Sequence, residues 1–158
     1  MTDFASLYRS HSQEVFRFAL YLSGNRSDAE DITSETFARA WAAPGPIRMA
    51  TVKGYLLTIA RDLFLQGLRR EARHTELHDV HADPRAGPEA RAEWNAELDA
   101  VLAGLQKLAE VDRTALLMRA VEEMPYEEIA RALGLSLAAV KVKIHRARLA
   151  LAHIRGDS

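Results

Sequence analysis

Hydrophobic side chains recur every three or four positions in the first part of the chain, which is the spacing of amphipathic helices. The first such stretch ends at Ser23-Gly24-Asn25, and the second ends at Pro44-Gly45-Pro46. A third runs from about Val52 to Arg73. The residues predicted to face inward are Phe4, Leu7, Tyr8, His11, Val15, Phe18, Ala19, Leu22, Ala29, Ile32, Thr36, Phe37, Ala40, Trp41, Val52, Leu56, Ile59, Ala60, Leu63 and Leu68.

The start of the second helix carries a capping signal. Ser27 and Glu30 have the spacing of a capping box, in which each side chain accepts a hydrogen bond from a free backbone N–H of the first turn. This pattern predicts that the second helix begins behind Ser27.

A polar stretch divides the chain. Residues 74–93 contain two prolines and a glycine and show no apolar periodicity until Trp94, which is typical of a flexible linker. We therefore predict an all-α protein with two small helical domains, 1–75 and 94–158, joined by a linker at 76–93. Pro88 suits the first turn of the next helix, whose predicted buried residues are Trp94, Leu98, Val101, Leu102 and Leu105.

The sharpest local pattern lies in residues 125–154. A short amphipathic helix containing Tyr126 and Ile129 is followed by Gly134, where a tight turn needs a positive φ, and Ser136 can cap a new helix. Helix, glycine turn and second helix form a helix-turn-helix, although a helical hairpin without a DNA role has the same pattern.

The second helix of this motif separates the two interpretations. Between Ser136 and Arg155 it has five basic residues and no acidic residue, whereas solvated helix faces normally mix both signs. The pattern therefore favours DNA binding, with Lys141, Arg146 and Arg148 placed for phosphates or a guanine edge and Val142 for a thymine methyl group. The predicted inward stripe is Leu137, Val140, Ile144, Ala147, Leu151 and Ile154.

Composition narrows the classes of protein to which this chain can belong. Of the 158 residues, 48% are hydrophobic and 27% are charged. These shares are those of ordinary globular proteins. Neither a membrane-spanning apolar run nor the apolar region of a signal peptide is present, so a cytoplasmic protein without membrane insertion is expected. The lack of cysteine excludes disulfides, thiolate zinc sites and cysteine nucleophiles.

Net charge is informative only when it is resolved along the chain. The total of −1 argues against a histone-like DNA binder. It resolves into +2 for residues 1–75, −5 for 76–100 and +2 for 101–158, so the acidic excess lies mainly around the predicted linker.

Taken in order, these motifs resemble a bacterial sigma factor of the extracytoplasmic-function (ECF) type, the minimal two-domain members of the sigma-70 family. The segment SDAEDITSETFARAW (27–41) is similar to the family's core-polymerase-binding segment, and GYLLTIARDLFLQGLRREAR (54–73) to its promoter-melting helix. MPYEEIARALGLSLAAVKVKIHRAR (124–148) is similar to the helix-turn-helix that reads the −35 element. The resemblance covers about residues 4–155.

The resemblance implies a sigma region 2-like domain and a sigma region 4-like domain that bind core RNA polymerase and promoter DNA. It implies no catalytic residue, cofactor or metal, and an anti-sigma factor is an expected partner. The implied core-polymerase-binding residues are Asp28, Asp31, Ser34, Glu35 and Arg39; the −10 DNA-binding residues are Arg48, Lys53, Tyr55, Arg61 and Asp62; the −35 DNA-binding residues are Ser136, Ala138, Lys141, Val142, His145, Arg146 and Arg148.

Some positions depart from the family pattern. In the promoter-melting helix, many relatives have Ala-Arg-Asn followed by Asp, where this chain has Asp62 and Gln66. In the second domain, the triplet that begins at Glu123 replaces the usual Gly-Leu-Ser. Ala109-Glu110 stand where a proline pair is common, and Val142-Lys143 replace a frequent Ser-Arg pair. These changes bear on which promoter sequence is read.

Three alternatives are weaker. A sigma-like mimic would bind an anti-sigma factor without DNA, but it could lose the basic helix face that this chain keeps. A stand-alone helix-turn-helix regulator leaves residues 27–73 without a role and usually needs a dimerisation element. An enzyme is the weakest: His74, His78, His81 and Asp83 have spacings that could hold a metal, but polar linker histidines explain them better.

Overall fold

The computed structural model describes residues 4–43, 51–77 and 96–156, and within these ranges the regular structure is entirely helical, which confirms the predicted all-α class. The N-terminal unit comprises α1 (Phe4–Ser23), α2 (Arg26–Ala42) and α3 (Val52–Leu77). The C-terminal unit comprises α4 (Ala96–Gln106), α5 (Glu110–Leu116), a π-helical turn (Leu117–Val121), α6 (Tyr126–Leu133) and α7 (Leu137–Gly156).

The N-terminal unit is a bundle in which all three helices contact one another. Its largest fully buried side chains come from each helix: Phe18 and Leu22 from α1, Phe37 from α2, and Leu56 and Leu57 from α3. Burial of one such side chain contributes roughly 1.5–3 kcal/mol, so this shared core supplies the main stabilisation of the bundle.

The helical spacing predicted which face of each helix points inward better than it predicted how much of that face is buried. Leu68 of α3, Val101 of α4 and Leu137 of α7 were predicted to be buried but are exposed. Trp41 was also predicted to lie in the core, and it is 58% exposed, with the Phe4 ring against it at 5.4 Å between centroids. A repeat defines a stripe along a helix, whereas burial also requires a neighbouring helix long enough to cover that stripe.

The predicted capping box is wrong. The second helix begins at Arg26, and Asn25 caps it, because its side-chain oxygen accepts a hydrogen bond from the backbone N–H of Asp28 at 2.8 Å. The carboxylate of Glu30 lies 3.7 Å from the guanidinium Nε of Arg26. Asn is among the best N-cap residues, and its position one residue before the helix leaves Ser27 inside the first turn.

The last helix of the N-terminal unit is slightly longer than predicted. Helix α3 continues to Leu77, beyond the predicted end at Arg73. The rest of the predicted linker, the predicted helix start at Pro88, and Trp94 lie outside the described residues.

The helix-turn-helix forms as predicted. Gly134 adopts a φ of 65° and closes α6. Its N–H and that of Leu135 bond to the carbonyls of Arg131 and Ala130, which would otherwise lack a partner at the helix end. Ser136 accepts a hydrogen bond from the N–H of Ala139 at 3.1 Å and so caps α7. The predicted inward residues Val140, Ile144 and Ala147 are buried.

The two units pack against each other, and Arg113 of α5 lies at their junction. Its buried guanidinium donates to the carbonyl oxygens of Leu22 at 2.6 Å, Leu105 at 3.0 Å and Leu108 at 3.1 Å, and it lies 5.9 Å from the centroid of the Phe64 ring. Burial lowers the pKa of Arg113. An arginine nevertheless remains charged at any physiological pH. One charged side chain therefore joins the ends of α1 and α4.

The corrected cap gives the first prediction. Asn25→Ala removes the acceptor for the Asp28 N–H and should lower the free energy of unfolding by about 1 kcal/mol, measured by urea denaturation. Ser27→Ala is the matched control and should change it little. A larger loss of unfolding free energy in Ser27→Ala than in Asn25→Ala would mean that the predicted capping box is correct after all.

Candidate nucleic-acid interface

Helix α7 exposes the surface that the sequence predicted for DNA. We call this surface the recognition face: it comprises the exposed side chains of Ala138, Lys141, Val142, His145 and Leu149. Val142 is 59% and Leu149 58% exposed, although both are large and apolar. Single exposed apolar side chains are common, but two of them on one acid-free helix face form a surface suited to a partner.

Two cations lie close to the ring of Tyr126, next to this face. The guanidinium of Arg119 lies 4.3 Å from the ring centroid, and the Nζ of Lys141 lies 5.5 Å from it. Cation–π contacts of this kind orient a long side chain that would otherwise be free in solvent. Lys141 is thus positioned by the first helix of the motif.

Arg146 has a partner within its own unit. Its Nε and Nη2 each lie 2.9 Å from a carboxylate oxygen of Asp112 in α5, and the Nζ of Lys143 lies 3.8 Å from the same group. The hydrogen bonds from Arg146 lower the pKa of Asp112 despite its burial. One charge of the predicted −35 set is therefore neutralised in this structure, while Arg148 and Ser136 remain exposed.

Two of the predicted −10 residues of α3, Lys53 and Arg61, contact the C-terminal unit. Arg61 makes a bidentate pair with Glu110, at 2.8 and 3.0 Å, and Lys53 donates from Nζ to the backbone oxygen of Glu122. Tyr55 is half-buried against the core. Asp62 is exposed and accepts from Arg39 at 3.2 Å and from Gln66 at 2.9 Å. Arg48 lies outside the described residues.

Glu110 is a residue that the sequence did not single out as part of a site. Burial raises the pKa of its carboxyl group, but hydrogen bonds from Arg61 and Thr114 and the charges of Arg61 and Arg113 outweigh burial, so the pKa lies below its usual value. The group is therefore a carboxylate at neutral pH. Its distance of 49 positions from Arg61 in the chain left no local signal for the pair.

Four of the five predicted polymerase-binding residues line the side of α2 that faces α3. A groove of about 580 Å³ lies between these helices, with an apolar floor that includes Ile32, Leu63 and Phe64. Asp28 and Asp31 stand on one side and Arg70 and Arg73 on the other. Glu35 and Arg39 line a smaller adjoining cavity, whereas Ser34 lines a separate cavity between α1 and α2.

Neither a metal centre nor a membrane span is found in the described part of the chain. No group of three or more potential metal ligands occurs there; of the four residues with metal-like spacing, only His74 is described, and His78, His81 and Asp83 lie outside. None of the described helices is both long enough and apolar enough to cross a bilayer.

Comparison with known proteins identifies the family. The Sigma-70 region 2 profile matches residues 7–74, and the Sigma-70, region 4 profile matches residues 98–151. The ECF RNA polymerase sigma factor SigL of Mycobacterium tuberculosis (strain H37Rv) is 32% identical over 92% of this chain and 85% of its own length. SigE of Mycolicibacterium smegmatis, another ECF sigma factor, is 35% identical over 94% of this chain, which spans 60% of that protein.

Two solved structures of protein complexes contain chains with a similar fold. CnrH, in complex with the cytosolic domain of CnrY, is 29% identical with a TM-score of 0.69, over 98% of this chain and 89% of that one. The sigma factor RpoE in complex with the anti-sigma factor NepR, from Bartonella quintana, shares the fold with a TM-score of 0.79 at 23% identity, over 99% of this chain and 98% of that one. The chain belongs to the ECF sigma factors of the sigma-70 family, whose members are transcription factors and not enzymes.

The Asp112–Arg146 pair gives the second prediction. Asp112→Asn should release Arg146 and increase the affinity for a pool of labelled duplex DNA several-fold, with a salt dependence steeper by about one phosphate contact. The measurement is fluorescence anisotropy at several salt concentrations.

Two further variants control this experiment. Glu127→Gln removes the same charge from an exposed position of the same motif and should increase affinity less. Asp112→Asn combined with Arg146→Ala should lose the gain. Equal effects of Asp112→Asn and Glu127→Gln would mean that Arg146 does not reach DNA.

Proposed function

We propose that this protein is an ECF sigma factor that binds core RNA polymerase and directs promoter-specific initiation of transcription. The observation that carries the proposal is the presence of two matched surfaces on one chain: an acid-free recognition face on α7 and an α2–α3 bundle with a charged groove. A stand-alone DNA-binding regulator would have no need of the second surface. The polymerase performs the chemistry, and this chain supplies positioning and DNA opening.

The recognition face is assigned to the −35 element. The N-terminal part of a recognition helix enters the major groove, and small side chains there permit close approach. Ala138 provides this space, Lys141 is directed by Tyr126 toward the edge of the face, and Val142 can contact a thymine methyl group. Arg148 and His145 extend the polar contacts along the helix, and Arg146 adds a cation once it leaves Asp112.

The start and middle of α3 are assigned to the −10 element. Melting requires capture of unpaired bases of one strand by cations and ring surfaces. Lys53, Tyr55 and Arg61 lie within about two turns of one helix and offer both kinds of group. Arg48 and Asp62 complete the proposed set.

The groove between α2 and α3 is assigned to core polymerase. Its apolar floor and acidic α2 rim suit a helical partner that brings basic and apolar side chains, since a groove of this kind accepts the face of a helix. Asp31 is exposed at the rim, which makes it the best single position to test.

An anti-sigma factor is proposed as a further partner. The structurally similar CnrH was solved with the cytosolic domain of CnrY. The exposed apolar side chains of α7, Val142 and Leu149, would be covered by such a partner as well as by DNA. A sigma factor working on polymerase in this way acts in the cytoplasm.

The groove assignment gives the third prediction. Asp31→Arg reverses a charge at an exposed position and should weaken retention by immobilised core polymerase at least tenfold, because it places like charges at the contact. Circular dichroism should show an unchanged fold. Asp99→Arg, an equal change at an exposed position of α4, is the control and should bind normally.

Run-off transcription tests the function as a whole. Purified core polymerase with this protein, on sheared genomic DNA, should give discrete initiation sites that sequencing of the transcripts identifies. With those promoters, Arg146→Ala should weaken −35 binding roughly tenfold or more, as expected for a base contact or a strong phosphate contact. Absence of both core binding and initiation would leave the mimic as the better description.

A further inference from the structure

Three carboxylates of the C-terminal unit lie on the N-terminal unit, and we call them the latch carboxylates: Glu110, Glu122 and Glu128. Glu122 pairs with Arg17 of α1 through two hydrogen bonds, at 2.8 and 3.1 Å, and its side chain is 0% exposed. Glu128 accepts from the backbone N–H of Thr51 at 3.1 Å and from its hydroxyl at 2.8 Å. The pair between Glu110 and Arg61 is the third contact, so the latch carboxylates meet α1, the start of α3 and its middle.

Gly54 makes the contact with Glu128 possible. It is buried in the first turn of α3, and a Cβ built at this position would collide with Oε2 of Glu128 and lie 2.8 Å from its Cδ. Glycine in a helix is about 1 kcal/mol less favourable than alanine, so a glycine here is explained by the close approach of α6 and not by the needs of α3.

The chain holds Glu122 in place through an irregular backbone. The π-helical turn at Leu117–Val121 ends immediately before it, and Glu123 follows with a φ of 58°. This value lies in the left-handed region that a non-glycine residue rarely adopts. The Nζ of Lys53 adds a hydrogen bond to the backbone oxygen of Glu122. Such irregularities persist only where the surrounding contacts over-determine them.

Two of the groups that the proposed function assigns to the −10 strand are occupied at this junction: Arg61 by the carboxylate of Glu110, and Lys53 by the backbone oxygen of Glu122. A carboxylate and a phosphate present similar anionic oxygens, and both accept bidentate hydrogen bonds from a guanidinium. Arg61 has both its Nε and its Nη2 bonded to Glu110, so it cannot make the same bonds to DNA at the same time. Lys53 is likewise directed to the backbone of Glu122.

We propose that the free protein is closed by these carboxylates, that Glu110 stands in for the DNA backbone at Arg61, and that this latch must open before the −10 strand binds. The inference rests on the proposed function. Its chemical content is a competition between the Glu110 carboxylate and a DNA phosphate for Arg61, while opening also frees Lys53 from the backbone oxygen of Glu122. The side chains of Arg61 and Glu110 are only 18% and 19% exposed. Salt therefore screens this pair less than it screens an exposed ion pair.

A steric variant tests the latch in the full-length chain. Gly54→Ala places a methyl group against Glu128 while favouring the helical state of α3. Gly67→Ala makes the same change in the same helix, where the nearest atom to the new Cβ is the end of Arg70 at 4.0 Å, and serves as the matched control.

Opening is measured by energy transfer between dyes on the two units. The chain contains no cysteine, so Ser10→Cys and Ala152→Cys, both at exposed positions, accept label without background. Gly54→Ala should lower the transfer efficiency, and Gly67→Ala should leave it unchanged. Glu110→Gln, which removes one charge and no volume, should shift it in the same direction by a smaller amount.

The competition is measured with the same proteins and a labelled pool of single strands of random sequence, each about 20 nucleotides long. If about a tenth of the wild-type molecules are open, Gly54→Ala should increase the affinity about tenfold, because apparent affinity scales with the open fraction. Adding Arg61→Ala to Gly54→Ala should abolish most of this gain. Gly67→Ala should bind as the wild type does.

Each contrary result overturns a defined part. Unchanged energy transfer in both Gly54→Ala and Glu110→Gln would remove the latch itself; both are needed because the atoms that the new methyl group meets belong to the end of the Glu128 side chain. Lower transfer without tighter DNA binding would show that the covered surface is not a DNA site. Run-off transcription with the wild-type protein tests the proposed function separately, because its result does not depend on the energy-transfer or DNA-binding comparisons. The energy-transfer comparison in turn is valid whether or not the protein initiates transcription.

Discussion

The contact between Arg113 and the carbonyl groups at two helix ends sets the arrangement on which the other inter-unit contacts depend. The last carbonyls of a helix have no partner within it, and burial without one is costly. A guanidinium offers five donors in one plane and can meet several such groups at once, as Arg113 does for Leu22, Leu105 and Leu108. Glu110 lies one turn earlier on α5, so the same anchoring brings its carboxylate to Arg61 of α3.

The charge distribution follows from this arrangement. In a chain of net charge −1, α3 and α7 both carry several cations, and on each of these helices a carboxylate from another helix is bonded to one arginine. The free protein therefore shows DNA a weaker positive field than its local sequence suggests. In the proposed role this favours DNA contacts made on the polymerase over contacts made alone.

Local chemistry was predictable from the sequence, and long-range pairing was not. Gly134 and Ser136 were placed correctly because turn geometry and capping depend on neighbouring residues. The cap at Ser27 was wrong because Asn25 competes for the same N–H groups, and both residues are good caps. Trp41 was misplaced because its burial depends on where other helices end.

The candidate sites show the same division between local and long-range features. The order of motifs was enough to recognise the sigma-70 family, which the two regional profiles confirmed. The partners of Arg61 and Arg146 were not predictable, because they lie 49 and 34 positions away in the chain.

Small-angle X-ray scattering of the free, full-length protein tests the central claim, that the two units are closed on each other, most directly. A compact chain of this length has a radius of gyration of about 15 Å. We predict about 15–18 Å at low salt, as expected for one compact body. A value well above ~20 Å, as for two tethered bodies that do not touch, would contradict the closed arrangement.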